Sequence, residues 1–408
     1  MLCTVFQNKE YRFFLSARVL LTFALQIQNV VVSWQIFKLT NDPLSLGLIG
    51  LAEAIPALSI ALYAGHLADK HNKRTILIVA LGVLLSSSVG ILWVTLPRGQ
   101  ESFSVLTQVR YLYLFILVSG FARGFYAPTA FSFLHNLVKR EHLTVASTIN
   151  SSSWQMASII GPAIGGYLYL EAGITIVITS VVIFSLAALG CLFSIRSKPV
   201  KYMETGESIS FRLSEGIRFV FRNKVILSAL SLDLFAVLFG GAVALLPVFA
   251  DTILHVGPDG LGLLRAAPSL GASMLMLWLS LRKPQGKPGA LLLWCVAGFG
   301  LCMIAFAVST NFYLSLFFLF LSGAFDSVSV VVRGNILQLQ TPDHMRGRVS
   351  AVNTMFIGSS NEIGAFESGV AARLMGIVPS VIFGGCITLL VVGFTAVKSK
   401  ALKKFKYE

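Results

Sequence analysis

Charge is what this chain has least of. Asp, Glu, Lys and Arg make up 12% of its 408 residues, about half of the roughly 25% typical of a water-soluble domain. A larger soluble core does not account for the deficit, because its water-facing surface would still need polar cover. Lipid as solvent removes that need. Only 18 acidic residues stand beside 31 Phe, and the mean hydropathy is +0.79.

Cysteine is sparse as well, and Cys3, Cys191, Cys295, Cys302 and Cys386 are scattered. Cys295 and Cys302 are seven residues apart on one predicted helix, so about 10 Å separates their Cα atoms. That is beyond disulfide reach, and the cysteines read as small apolar fillers. No Cys pair has metal-ligand spacing and the six His do not cluster, so neither a metal nor another cofactor is expected. The Gly-x-x-x-x-Gly-Lys-Ser/Thr loop that cradles ATP phosphates is missing. No nucleophile–base pair marks an enzyme. The net charge of +14 lacks the basic stripe with interleaved exposed aromatics that nucleic acid requires. A cleavable signal is not expected either. The first apolar run, about 13–37, is too long for a signal-peptide core and reads as a retained first span.

What is present is a series of apolar segments, each long enough to cross a bilayer at about 20 residues. They fall at about 13–37, 46–68, 75–96, 111–134, 145–170, 173–195, 225–250, 259–281, 289–309, 312–335, 348–372 and 376–397. Short gaps hold Asp42–Pro43, Gly257–Pro258 and Pro288–Gly289 as punctuation. The long gap, 196–224, divides the chain into a first bundle over 1–195 and a second over 225–408. Loops alternate in charge without a break. One side carries 24 Lys and Arg, the other only Lys38, Arg98, Arg110 and Arg373. By the positive-inside rule the rich side, with both termini, is cytoplasmic, and a missed helix would scramble the alternation. Within the linker, Ile209, Leu213, Ile217 and Val220–Phe221 recur at helical spacing among Arg212, Arg218 and Arg222. This predicts a short amphipathic helix on the inner membrane surface.

After the second span the sequence reads Gly65-His-Leu-Ala-Asp69-Lys70-His-Asn-Lys73-Arg74. Gly65 permits close helix approach, Asp69 can accept hydrogen bonds from a helix N-terminus or an Arg, and the basic residues hold the turn at the headgroups. The stretch resembles the signature loop of the major facilitator superfamily, with Lys70 where an Arg is usual. In the fifth span, Ser158-Ile-Ile-Gly161-Pro162-Ala-Ile-Gly165-Gly166 resembles the end of that superfamily's antiporter motif, associated with exporters; Pro and Gly there would permit a kink and close packing. Small residues four apart, Ala57–Ala61–Gly65, Ser147–Ser151, Ala267–Gly271 and Ser360–Gly364–Ser368, fall in spans two, five, eight and eleven. In the superfamily these spans form the interface between halves. The run from Gln338 through Pro342, Arg346, Arg348 and Asn353 to Asn361, Glu362, Gly364 and Glu367, with Asp233 through Gly240–Gly241, is similar to the branch containing siderophore (enterobactin) exporters and related secretion transporters. Arg346 and Arg348 would then form a cytoplasmic gate near span eleven. The second-half counterpart of the signature loop, near Arg282–Lys287, has lost its Gly and Asp.

An ionisable residue inside a span costs roughly 2.5–3.5 kcal/mol on insertion scales, which makes it a functional candidate. Arg18, Glu53, Arg123, Asp233, Arg265, Asp326, Arg333, Glu362 and Glu367 fall in spans. Arg18 and Arg333 lie near cytoplasmic ends where they can snorkel, and Arg265 and Glu367 towards outer ends. Glu53 is the first candidate for a protonatable carboxylate, modulated by Arg123, which by resemblance occupies a proton-coupling position. Asp233, Asp326 and Glu362 are the second-half candidates. Together these features predict an all-α membrane protein of twelve transmembrane helices in two pseudo-symmetric six-helix bundles, the major facilitator fold. The expected activity is proton-coupled export of a small siderophore-like molecule across a bacterial inner membrane by a monomer whose halves rock about a central cavity. Protons and lipid are its expected partners. A multidrug–proton antiporter and a non-transporting scaffold or sensor are the alternatives.

Overall fold

Side-chain caps in the loops decide where several helices begin. Asn8, Asn72, Asn223 and Asn311 each precede a helix, and their side chains accept from the backbone N–H groups of Glu10 and Tyr11, Arg74, Val225 and Ile226, and Leu314 respectively. Each satisfies donors that a helix start leaves open, worth about 1 kcal/mol. Stops are set by backbone conformation. Asn41 (φ 48°) ends the first long helix in the left-handed region, and Gly376 (φ 94°) separates the last two, a conformation glycine tolerates.

The computed structural model describes residues 2–197, 209–281, 287–342, 345–399 and 402–403. α1 (Leu2–Gln7), α2 (Lys9–Thr40), α3 (Pro43–Lys70), α4 (Lys73–Thr95), α5 (Pro97–Ser102), α6 (Val105–Leu137) and α7 (Leu143–Phe193) precede the linker. α8 (Ile209–Arg222), α9 (Lys224–Gly240), α10 (Leu246–Val248), α11 (Gly257–Leu281), α12 (Pro288–Val308), α13 (Phe312–Gln340), α14 (Arg346–Met375) and α15 (Ile377–Lys398) follow it. No strand occurs among the described residues.

Nine helices among the described residues are long and apolar enough to cross a membrane. α7 is one of them, and its 51 residues hold two spans. They meet at Gly173 (φ 73°, ψ 171°), the one non-helical position inside it. α3 and α14, at 28 and 30 residues, also have the length of a span; Pro43–Ala57 of α3 is apolar, and α14 carries more polar content. The fold is thus the twelve-helix all-α membrane architecture. α8 forms where the linker pattern predicted an amphipathic helix.

The chain folds as two compact units. The first comprises Met1–Asn41, Ala52–Thr205 and Gly257–Ala266; the second comprises Asp42–Leu51, Gly206–Val256 and Ala267–Glu408. In the first unit Tyr11, Phe14, Leu77, Leu81, Phe133 and Leu192 form a core between α2, α4, α6 and α7. Polar pairs tie the same helices: Ser88 Oγ donates to Gln28 Oε1 (2.7 Å) and Tyr169 Oη to Gln35 Oε1 (2.6 Å). In the second unit Ala229, Leu232, Leu292, Val332 and Ile336 form one cluster. Val220, Ile226, Leu230, Met345 and Val349 form another beside α8.

An internal repeat marks both entrances. Val5-Phe-Gln-Asn8-Lys9 recurs as Val220-Phe-Arg-Asn223-Lys224. Both valines are buried and both asparagines cap the following helix.

Helical dihedrals continue through Pro162, and α7 breaks eleven residues on, at Gly173, where a positive φ separates its two spans. Several of the small residues at four-residue spacing let helices of one unit approach closely. Ala57 lies against Gly124 of α6, Gly271 against the Phe320 backbone and Gly364 against Leu238. The reason is steric: a small residue serves whichever neighbour is nearest, and spacing alone does not say which.

Candidate functional site

α3 and α6 cross at a glycine of α6, which presents no side chain to the contact. A Cβ on Gly120 would stand 2.7 Å from the Glu53 carbonyl oxygen and from Pro56 Cγ, so glycine is what permits this approach. One turn from that contact Arg123 meets Glu53, and the two form an ion pair with side chains 28% and 13% exposed. These two sequence candidates are therefore brought together, within the first unit.

In the second unit Asp233 of α9 pairs with Arg333 of α13, their side chains 8% and 4% exposed. This corrects the reading of Arg333 as a snorkelling residue. It is held inward by a carboxylate that the sequence did not link to it, because Asp233 lies a hundred residues upstream. Asp326, on the same helix two turns earlier, is only half-buried and forms no ion pair among the described residues. Glu362 of α14 faces Gly50 of α3, its Oε2 3.6 Å from where a Cβ on that glycine would stand. Glu367, one turn on, is half-buried without an ion pair among the described residues. In the first unit Arg265 donates from Nη2 to Ser33 Oγ at 3.1 Å. Arg18 lies over the Phe14 ring at 6.0 Å.

The remaining candidates serve as braces. Arg74 donates to the carbonyls of Leu192 (3.3 Å) and Phe193 (2.9 Å), closing the C-terminus of α7 where its dipole favours a cation. Lys70 and Lys73 stand beside it at the α3–α4 turn. The backbone of Gly65 and Asp69 is helical, while the Asp69 side chain lies outside the described residues. Gly161 packs against Gln26, Gly165 against Ile27, and Gly166 against the start of α11 at Pro258 and Gly262. Pro162 lies between them in the same helix. Arg348 pairs with Glu215 of α8, and Gly216 of α8 rests on the Arg348 backbone. Arg346 is the first residue of α14.

A second repeat, which the motif reading missed, connects the two halves chemically. Gly50-Leu-Ala-Glu53-Ala-Ile-Pro56-Ala-Leu of α3 recurs as Gly262-Leu-Leu-Arg265-Ala-Ala-Pro268-Ser-Leu of α11. Ser119-Gly120-Phe-Ala-Arg123 of α6 recurs as Ser322-Gly323-Ala-Phe-Asp326 of α13. The packing recurs too, for Gly323 sits against the Pro268 backbone as Gly120 sits against Glu53 and Pro56. The charges are reversed: Arg265 takes the place of Glu53 and Asp326 that of Arg123. Aligning the halves on their Pro and Gly positions would have found this.

The sequence profile of the transmembrane secretion effector family matches residues 3–407. The chain belongs to that family. Members similar to it include the enterobactin exporter EntS of Shigella boydii serotype 4, 26% identical over 398 residues, covering 95% of this chain and 90% of that protein. The same exporter from Escherichia coli O81 is 26% identical over 395 residues, with the same coverage. Solved structures agree on the fold. A bacterial homologue of the lysosomal transporter Spinster has a TM-score of 0.76 at 13% identity, covering 98% of both chains. A bacterial homologue of the iron transporter ferroportin has a TM-score of 0.72 at 15% identity, covering 97% of this chain and 99% of that one. Family and fold together make this chain a major facilitator transporter, embedded in a membrane and acting on a small-molecule substrate.

Proposed function

We propose that the protein exports a siderophore-like small organic molecule from a bacterial cytoplasm, using protons that return across the inner membrane. The observation that carries the reading is the Glu53–Arg123 pair between α3 and α6. A proton on Glu53 would remove the negative charge and release Arg123, so proton binding and helix contact become one event. Glu53 is the coupling carboxylate and Arg123 its partner. Asp326 and Arg265 occupy the equivalent positions of the repeat with charges reversed, and Asp326, Asp233 and Glu362 are the second-half candidates for coupling. The turn of Gly65, Asp69, Lys70, Lys73 and Arg74 acts as the conformational switch, and Arg346 and Arg348 as the cytoplasmic gate. Gly161, Pro162, Gly165 and Gly166 favour export by close packing of α7.

Both termini lie in the cytoplasm, on the side rich in Lys and Arg. The halves over 1–195 and 225–408 move as rigid bodies joined by 196–224, in a monomer. Siderophore cargo rests on the similarity to the enterobactin exporters. The test is proteoliposomes holding the purified protein, with enterobactin or a cationic dye as probe and an imposed pH gradient. Gradient-driven enterobactin movement, lost in Glu53→Gln, is the expected result. Dye movement without enterobactin movement would establish the multidrug alternative instead. Neither probe moving, with no proton flux, would favour a scaffold.

A further inference from the structure

The second unit carries a groove between α9 and α15 whose lining residues the proposed transport mechanism does not use. Its volume is about 840 Å³. Phe235, Phe239, Leu390 and Phe394 line its length, and Lys224 and Lys398 stand together at one end. The distribution is polarised along the helices. From Lys224 to Phe239 is fifteen residues, about 22 Å of helix, close to the length of one lipid with its headgroup, since the bilayer with both headgroup regions is about 40–45 Å thick.

The polar end is organised. Ser399 Oγ donates to Ser228 Oγ at 2.7 Å, joining the two helices beneath the lysines. Ser228 Oγ also donates to the Lys224 carbonyl (2.7 Å), and Lys398 Nζ lies 4.9 Å from the centre of the Phe394 ring. Among the described residues no Asp or Glu lines the groove, so neither wall sets a carboxylate beside the two lysines. Phe235 and Phe394 are 42% and 63% exposed, so the apolar slot is accessible from outside the two helices. Two cations above a chain-length apolar slot complement one chemistry: a phosphate with an acyl chain attached.

We propose that this groove is a binding site for one anionic phospholipid, with its phosphate between Lys224 and Lys398 and an acyl chain along Phe235, Phe239 and Leu390. On the topology proposed above the leaflet is the cytoplasmic one; the site itself does not depend on it. Occupancy would tie the start of α9 to the end of α15, bracing the second unit from outside.

The test uses full-length protein in phosphatidylcholine nanodiscs containing phosphatidylglycerol whose acyl chain carries a photo-activated diazirine. Expected is labelling concentrated on α9 and α15 and competed by unlabelled phosphatidylglycerol. The double variant Lys224→Gln with Lys398→Gln should weaken labelling roughly thirtyfold, since a basic residue near an anionic headgroup contributes about a factor of five. Lys224→Arg with Lys398→Arg should keep it. Because both lysines are exposed, these variants should remain folded, and size-exclusion profile and melting temperature check this. Leu390→Trp, which narrows the slot without touching charge, should lower labelling as well. Equal labelling from a phosphatidylcholine probe, labelling spread evenly over the chain, or indifference to both double variants would overturn the site. So would a cross-link between two copies of the chain at α15. Enterobactin transport measured in parallel separates the two proposals, since loss of that activity leaves the lipid labelling untouched.

Discussion

The guanidinium of Arg333 on α13 is paired with the carboxylate of Asp233 on α9, and the two side chains are 4% and 8% exposed. A pair this deeply enclosed cannot be split without leaving a charge in an apolar surround, and it is more buried than the Glu53–Arg123 pair. Removing one partner of such a pair costs about 3–5 kcal/mol. Asp233→Asn should therefore lower the melting temperature in detergent markedly. Asp233→Leu with Arg333→Met, which removes both charges, should recover most of the loss. A melting temperature unchanged in Asp233→Asn would show that the pair does not hold the second unit together.

Glu53→Gln should behave differently, because Arg123 is 28% exposed and can find other company. Its stability loss should be small, on the order of 1 kcal/mol. Transport driven by a pH gradient should fall to background in proteoliposomes, while exchange of substrate at equal pH survives. Wild-type gradient-driven rates in this variant would remove Glu53 from coupling.

Asp326 has no ion pair among the described residues, so its removal should cost no partner. Asp326→Asn is expected to leave the melting temperature equal or higher, since a lone carboxylate in a span costs roughly 2.5–3.5 kcal/mol on insertion scales. Gradient-driven transport should nevertheless drop. A variant both fully stable and fully active would mean that Asp326 has no function that its charge serves.

Arg348 holds α8 through Glu215, whose side chain is 38% exposed. The pair contributes about 1 kcal/mol or less at such exposure, enough to shift a local equilibrium and too little to unfold the protein. Arg348→Ala should raise amide hydrogen exchange in 214–222 several-fold with exchange in α12 and α13 unchanged. Global destabilisation would instead assign Arg348 to the core of the second unit.

Gly120→Leu should be among the most damaging single changes at the α3–α6 crossing. Any Cβ there meets Glu53 backbone and Pro56 at 2.7 Å, so the helices must part, at about 1–3 kcal/mol for overpacking. The measurement is the melting temperature beside that of Gly82→Leu, a position with nothing within 4 Å of a Cβ.

The sequence by itself determined the solvent, the span count and the family. Lack of charge, the length of the apolar runs and the charge alternation are local properties, each readable within about twenty residues. The linker helix was legible for the same reason, since the repeat of Ile209, Leu213 and Ile217 is a one-dimensional pattern. Glu53 with Arg123 was half legible: the residues stood out, and resemblance suggested their partnership.

The tertiary structure alone decided the partners. Asp233 found Arg333 across a hundred residues, Arg74 found the end of α7, and Glu215 found Arg348. None of these choices leaves a trace in spacing, because a membrane helix hides its rotation: with lipid outside and apolar packing inside, hydropathy does not reveal which face carries a charge inward. Only the contact between helices, set by glycines such as Gly120 and Gly323 and the prolines they meet, fixes that rotation and hence which charge meets which.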